Sequence, residues 1–156
     1  MIFTTYFGKV KDLPENIIPI SICGKAPSWW KGLEYKALAP KWDFFKVWKE
    51  TQDNDYYIEH FQTDVLDKLN IEKVLIDLQL MMPFDFRVNM KKSVAADWNY
   101  HIALVCYEKP DAFCHRHLVA QWLEKHGVQV RELIYFDTEL KWSQNFISKV
   151  DYKPYK

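Results

Sequence analysis

The stretch HIALVCYEKPDAFCHRHLVAQWLEKHG, residues 101–127, decides the fold class of this chain. It opens with HIALVC, an almost continuous apolar run that is typical of a central strand in a parallel sheet. The segment YEKPDAF follows, and its Asp111 can cap a helix. The apolar stripe of that helix consists of Leu118, Val119, Trp122 and Leu123. Gly127 is a typical left-handed terminator, so the stretch predicts a strand, a loop and a helix in succession.

The rest of the chain extends this unit. The run VQVRELIYF, residues 128–136, predicts a further strand and hence a right-handed parallel crossover. Short β-branched runs predict strands at residues 2–7 and 17–23. Helices are predicted over residues 44–51 with Asp43 as cap, from about Asp55, and after Asn70. We therefore expect an α/β fold with a mostly parallel sheet flanked by helices, a Rossmann-like three-layer arrangement.

Length and charge limit the function classes. The 156 residues correspond to a single domain, 1–156, in which residues 142–156 are expected to form a loose tail. Residues 84–99 show no period and are expected to be an irregular connection. The formal net charge is zero, so no global field favours nucleic acid or an anionic membrane. No apolar run is long enough to span a membrane, and we expect a cytoplasmic protein.

A candidate site lies where the strand at residues 101–106 gives way to the helix. Ligands of open parallel sheets bind beyond the carboxyl ends of the strands. The loop is expected to bring Cys114 to about the third helical position, where the helix dipole favours a thiolate and a bound anion. Arg116 offers a planar fork for phosphate or carboxylate, and His115 and Glu108 can move protons.

Two alternatives for the same cluster stay open. Cys114 shares a helical face with Leu118 and Trp122 and could be a small buried hydrophobe, with Arg116 and His117 as ordinary surface residues. A metal site could instead combine Cys114 with neighbouring side chains, namely His117, Cys106, His115 and His60. No closely spaced cysteine pair completes a zinc pattern, so the sequence assigns no metal ligand.

The segment GKAPSWW, residues 24–30, is the second candidate. Lys25, Pro27, Trp29 and Trp30 follow a predicted strand, and the tryptophans could stack on a base or a sugar. Alternatively, the aromatic rings only close the end of the core. The odd count of three cysteines, including a structural Cys23, argues against a disulfide framework. The chain lacks a phosphate-binding P-loop, a dinucleotide fingerprint and a G-x-S-x-G elbow.

The run IALVCYEKPDAFCHRHLVAQWL resembles the domain of unknown function 488, in particular a short bacterial and phage branch that carries CYE and FCHR together. The segments TTYF, PISI, APSWW and LAP extend the resemblance over most of the chain. It implies a single cytosolic α/β domain with an active centre around Glu108, Cys114, His115 and Arg116. The neighbouring Tyr107 is expected to face the ligand. Family members often carry an Asp-Val-Arg run after the second strand, and this chain has SICGKAP there.

These observations predict a small intracellular enzyme that acts on a phosphate-bearing substrate, such as a nucleotide or a nucleic-acid component. It would be a Cys/His/Glu-dependent hydrolase or transferase. The nucleotide part rests on the nearby aromatic residues, and the anionic part on the helix terminus. A non-catalytic module that binds a ligand or nucleic acid, and a metal-binding protein that uses Cys114 and nearby histidines, remain as alternatives. The sequence identifies no cofactor and no oligomeric state.

Overall fold

A computed structural model describes residues 2–83 and 101–133 of the chain. The described residues form a five-stranded sheet in the order β3-β2-β4-β1-β5, and every neighbouring pair is parallel. The strands are β1 (Ile2–Tyr6), β2 (Ile17–Ser21), β3 (Leu33–Glu34), β4 (His101–Cys106) and β5 (Val130–Glu132). This confirms the predicted α/β class with a parallel sheet flanked by helices.

The strand predicted at residues 101–106 is β4, and it occupies the centre of the sheet. Its Leu104 lies between Thr4 of β1 and Ile20 of β2 in the register. Leu104 is fully buried, as the continuous apolar pattern requires for a strand covered on both faces. The connection from β4 to β5 passes over β1, because β1 lies between these two strands.

Four α-helices are described: α1 (Trp42–Thr51), α2 (Asn54–Asp64), α3 (Ile71–Leu80) and α4 (His115–Lys125). Three 3-10 helices connect other elements, at Phe7–Asp12, Lys36–Leu38 and Leu66–Lys68. Asn70 caps α3 as predicted, since its side chain accepts a hydrogen bond from the Lys73 amide at 3.0 Å. Asp53 caps α2 in the same way through the Tyr56 amide.

The starts of two helices differ from the prediction. Helix α1 follows Lys41, so Asp43 lies in its first turn and does not cap it. Helix α4 has Cys114 as its N-cap, and Asp111 belongs to a preceding turn in which the Ala112 amide donates to the Lys109 carbonyl at 3.1 Å. The residues that were expected to begin α4 therefore form this turn. Cys114 therefore lies at the N-cap, one position outside the helix that was expected to include it.

The end of α4 agrees with the prediction, because Gly127 has a left-handed φ of 81°. All four helices contribute to a large apolar cluster on one face of the sheet, together with Ile20, Ile102 and Leu104. A smaller cluster of Phe3, Ile17, Ala103 and Leu133 includes residues from the alternate strand positions. No helix in residues 2–83 and 101–133 combines the length and apolar character needed to cross a membrane.

Three sequence predictions fall outside the described residues. They concern the irregular connection at residues 84–99, the last part of the strand expected up to residue 136, and the tail at residues 142–156.

Candidate functional site

A cavity lies at the carboxyl ends of β2 and β4. From β2 the chain continues to β3, toward one edge of the sheet. From β4 it continues to β5, toward the opposite edge. Such a reversal opens a crevice between neighbouring strand ends, where ligands of open α/β sheets bind. The cavity has a volume of about 540 Å³. It is lined by Cys23, Gly24, Lys25, Pro40, Trp42, Phe45, Trp48, Tyr57, Cys106, Tyr107, Glu108, Phe113, Cys114 and His115.

Two thiols and an imidazole meet on the wall of this cavity. Cys106 is the last residue of β4, Cys114 is the N-cap of α4, and His115 is the first residue of α4. One side-chain ligand atom from each residue lies within 4.8 Å of the other two. All three side chains are buried, with at most 5% of each residue exposed. The end of the strand and the start of the helix thus bring Cys106 next to two residues that lie eight and nine positions later in the sequence.

The orientation of His115 is fixed by the end of β2. Its Nε2 lies 2.7 Å from the carbonyl oxygen of Ile22, and a carbonyl can only accept a hydrogen bond. Nε2 therefore carries the hydrogen. In the neutral ring this leaves the Nδ1 lone pair facing the thiols, 3.5 Å from the Cys106 sulfur.

The pKa values of the Cys106 and Cys114 thiols are shifted in opposite directions. Burial alone would raise the pKa of Cys114, but the hydrogen bond from Cys106, the His115 ring in its doubly protonated form and the charge of Arg116 lower it well below its ordinary value. The pKa of Cys106 is raised, because its thiol donates to the Cys114 sulfur and because it is buried. Cys114 is therefore the more acidic thiol of the pair, and Cys106 is its hydrogen-bond donor.

Arg116 points away from the cavity toward β5. Its Nη2 donates to Glu132 Oε1 at 2.7 Å, its Nε lies 3.1 Å from the same oxygen, and its Nη1 donates to the Glu108 carbonyl at 2.6 Å. Thr4 and His117 also approach this carboxylate. Arg116, Glu132 and His117 are all buried. The alternative in which Arg116 and His117 are ordinary surface residues is therefore wrong.

The carboxylate of Glu132 is ionised in this environment. Burial would raise its pKa, but the neighbouring His117, the hydrogen bonds from Arg116 and the guanidinium charge lower it to about 2. The Arg116 guanidinium, which was expected to bind an external phosphate or carboxylate, thus binds the internal carboxylate of Glu132. The structure places Arg116 behind the cavity wall, within electrostatic reach of Cys114.

The rim of the cavity carries the polar residues expected from the sequence. Lys25, Tyr107 and Glu108 all line it, and Glu108 is exposed. The Tyr107 hydroxyl donates to the Lys25 carbonyl and joins the loops that follow β2 and β4. Lys25 and Glu108 therefore present a cation and a carboxylate at the entrance.

The GKAPSWW segment reaches this cavity through Gly24 and Lys25. Pro27, Trp29 and Trp30 lie outside the cavity wall. The two indoles pack edge-on against Phe7, with ring centroids 5.8 and 5.3 Å away. This arrangement matches the alternative in which the aromatic rings close the end of the core.

A different set of aromatic residues forms the wall. Trp42, Phe45 and Trp48 come from α1, Tyr57 from α2, and Phe113 from the loop before α4. Sequence reasoning missed this set. Its signal was a spacing of three residues along α1, which places Trp42, Phe45 and Trp48 along one side of the helix. Burial and the charges of Cys114 and Cys106 raise the pKa of Tyr57, which keeps this phenol neutral beside the thiols.

Of the side chains that were considered as metal ligands, only some lie close together in the described part of the chain. His117 Nε2 lies 3.8 Å from Glu132, and His60 Nδ1 lies 3.0 Å from Asp64. Among residues 2–83 and 101–133, the group whose atoms converge as metal ligands consists of Cys106, Cys114 and His115. Cys114 is also buried, as the structural alternative expected, but it lines the cavity.

The chain was compared with known protein families, curated proteins and solved structures. The family model DUF488-N3a, described as the active DUF488-N3 subclade, matches residues 9–127. That range contains β2, β4, α4 and each residue of the cavity wall named above. No curated protein and no solved structure matches the chain.

Proposed function

This chain belongs to the DUF488 family, and we propose that it is a cytoplasmic enzyme that acts on a nucleotide or nucleic-acid component through Cys114. One observation carries the proposal. Cys114 occupies the N-cap of α4 on the wall of a cavity, next to a histidine of fixed tautomer and a second thiol. A thiolate is the nucleophilic form of cysteine, and helix N-termini and neighbouring cations favour it.

The cavity supports a ligand with a flat apolar part. Six aromatic side chains line it, namely Trp42, Phe45, Trp48, Tyr57, Tyr107 and Phe113, and such rings stack on any nucleobase. Lys25 at the rim and the N-terminus of α4 supply positive potential for a phosphate. The aromatic part and the anionic part of a nucleotide would therefore find different sides of the same cavity.

The chemistry assigned to the site is covalent catalysis. The Cys114 sulfur attacks an electrophilic atom of the substrate and forms a bond to it, and the bond to the leaving group breaks. Glu108 at the cavity rim passes a proton from solvent to the leaving group. Water then releases the product in a hydrolase, or an acceptor molecule does so in a transferase. Glu108, again a carboxylate, takes the proton of that second nucleophile.

Arg116 serves this site as a positioning residue. It holds the Glu108 backbone through the carbonyl at 2.6 Å, and its charge favours the Cys114 thiolate. Glu132 in turn holds the guanidinium through two nitrogens. The Cys-His-Arg run would then supply a nucleophile, its imidazole partner and an internal support.

The test is turnover of a panel of nucleoside 5′-monophosphates and short oligonucleotides, followed by liquid chromatography. We expect product from the full chain and none from Cys114→Ala, with ligand binding retained in the variant. Cys23→Ala is the matched control, because Cys23 also lines the cavity but lies outside the cluster of Cys106, Cys114 and His115.

Two outcomes would overturn the proposal. Equal turnover by Cys114→Ala would remove the nucleophile from the mechanism. Binding of a panel member that stays unchanged after long incubation would favour the non-catalytic binding module, for which the aromatic wall is equally suited.

A further inference from the structure

We propose that Cys106, Cys114 and His115 form a binding site for a thiophilic divalent cation such as Zn²⁺, with a fourth coordination position open to the cavity. The ligands would be the two Sγ atoms and the Nδ1 atom of His115. This inference concerns the atoms of the proposed active centre, but it does not depend on their being catalytic. Two cysteines and one histidine with an open position constitute a known arrangement of catalytic zinc.

The observed spacing fits tetrahedral coordination. Zinc–sulfur bonds of about 2.3 Å and zinc–nitrogen bonds of about 2.0 Å, at tetrahedral angles, separate the two ligand atoms by about 3.5 Å. The Cys106 sulfur lies 3.5 Å from His115 Nδ1. The Cys114 sulfur completes the group, in which every separation is at most 4.8 Å. A cation could therefore enter with only small side-chain movements.

The surroundings of His115 are those of a metal ligand. Histidines that bind metals usually donate their other ring N–H to a backbone carbonyl or a carboxylate, which fixes the ring and its tautomer. The hydrogen bond from Nε2 to the Ile22 carbonyl at 2.7 Å has this role. It aims the Nδ1 lone pair at the two sulfurs before any cation arrives.

The charge balance also suits a divalent cation. Two thiolates and a neutral imidazole carry two negative charges, which the cation neutralises in a buried site. Binding requires both thiols and the Nδ1 atom of His115 to be free of protons, so any proton that they carry is released to solvent. All three ligands line the cavity, and water or a substrate atom from the cavity would complete the tetrahedron.

Cobalt titration tests the site without reference to activity. The full chain, without a histidine tag, is freed of metals with a chelator, reduced, and titrated with Co²⁺ under anaerobic conditions. We expect one cation per chain, with a thiolate-to-cobalt charge-transfer band, visible bands of tetrahedral intensity, and displacement by Zn²⁺. Co²⁺ spectra without a charge-transfer band would overturn the proposal.

Variants assign the ligands. At saturating Co²⁺, Cys106→Ser and Cys114→Ser should each lose about half of the charge-transfer intensity, because one of two thiolates is removed, and should bind Co²⁺ at least tenfold more weakly, whereas Cys23→Ser should match the wild type. Cys23 is buried and its sulfur lies 3.1 Å from Ser21 Oγ, so it is a comparable thiol outside the site. Loss of the band in Cys23→Ser, or its persistence at full intensity in Cys106→Ser, would contradict the ligand set.

A protection measurement covers the case in which a variant does not fold. In the wild-type chain, Zn²⁺ should slow the alkylation of Cys106 and Cys114 and leave that of Cys23 unchanged. Equal protection of all three thiols, or of none, would contradict the site. Failure here leaves the proposed enzyme intact if the metal-free chain turns over its substrate. Failure of turnover likewise leaves a positive cobalt result standing.

Discussion

At the scale of single residues, the run Cys114-His115-Arg116 divides its side chains between two environments. Cys114 and His115 line the cavity, whereas Arg116 reaches Glu132 behind it. Successive residues of a helix point about 100° apart, so neighbours in sequence cannot all face one ligand. The ion pair and the thiolate are nevertheless connected, because the Arg116 charge helps to lower the pKa of Cys114.

Because Arg116 and Glu132 form a buried ion pair, Glu132→Gln is expected to lower the stability of the fold. Removing one partner of a buried ion pair leaves the other charge uncompensated, and we expect a loss of about 3–5 kcal/mol in the free energy of unfolding at pH 7. Urea denaturation measures this loss. Glu124→Gln is the control, because Glu124 is an exposed residue of α4, and it should change stability by less than about 0.5 kcal/mol.

The same variant gives a pH prediction. The pKa of Glu132 is lowered from 4.5 to about 2 in the folded state, so its contribution is complete above pH 4.5. That contribution is lost as the pH falls through the folded-state pKa. The stability difference between wild type and Glu132→Gln should therefore shrink between pH 4.5 and pH 2. A difference that stays constant with pH would show that the carboxylate charge is not the stabilising feature.

At the scale of elements, the two parts of the site have different sequence signals. Strand β4 could be predicted from six residues, because burial on both faces makes its apolar pattern nearly continuous. The aromatic side of α1 was not predicted, since a helix with large apolar residues on two sides does not reveal which side meets a cavity. Phe44 enters the core, whereas Trp42 is 63% exposed.

The central position of β4 predicts a large loss of stability when Leu104 is truncated. Leu104→Ala should leave a cavity between the sheet and the helices and lower the free energy of unfolding by about 2–5 kcal/mol. Ile76→Ala on the exposed side of α3 is the control and should cost much less, since Ile76 is 53% exposed. A loss below about 1 kcal/mol for Leu104→Ala would contradict its central position.

Substitution of Trp42 on α1 is expected to weaken ligand binding without lowering the stability of the fold. Trp42→Ala should leave the melting temperature nearly unchanged and weaken the binding of adenosine 5′-monophosphate by about 1–3 kcal/mol, if its base stacks on the wall. Trp29→Ala is the matched control, because Trp29 is 49% exposed but lies outside the cavity. Isothermal titration calorimetry measures both. Equal weakening by the two variants would place the ligand elsewhere.

At the scale of the whole molecule, the cavity arises from the sheet topology. The strand order makes the chain leave β2 and β4 in opposite directions, and α1 and α2 close the resulting crevice. The sequence could locate the β4 end, the thiol and the histidine, because these lie within one strand–loop–helix unit. It could not locate Glu132 as the partner of Arg116, because that pair depends on how α4 packs over β5.

The central claim is that Cys114 is a reactive thiolate, and its alkylation rate tests this most directly. The metal-free chain is treated with iodoacetamide over a pH series, and each cysteine is followed by peptide mass spectrometry. We predict that Cys114 reacts first at pH 7, about tenfold or more faster than Cys23 and Cys106, whose pKa values are raised. Cys114→Ser should remove the fast phase. A Cys114 that stays unlabelled until the protein is denatured would contradict the account.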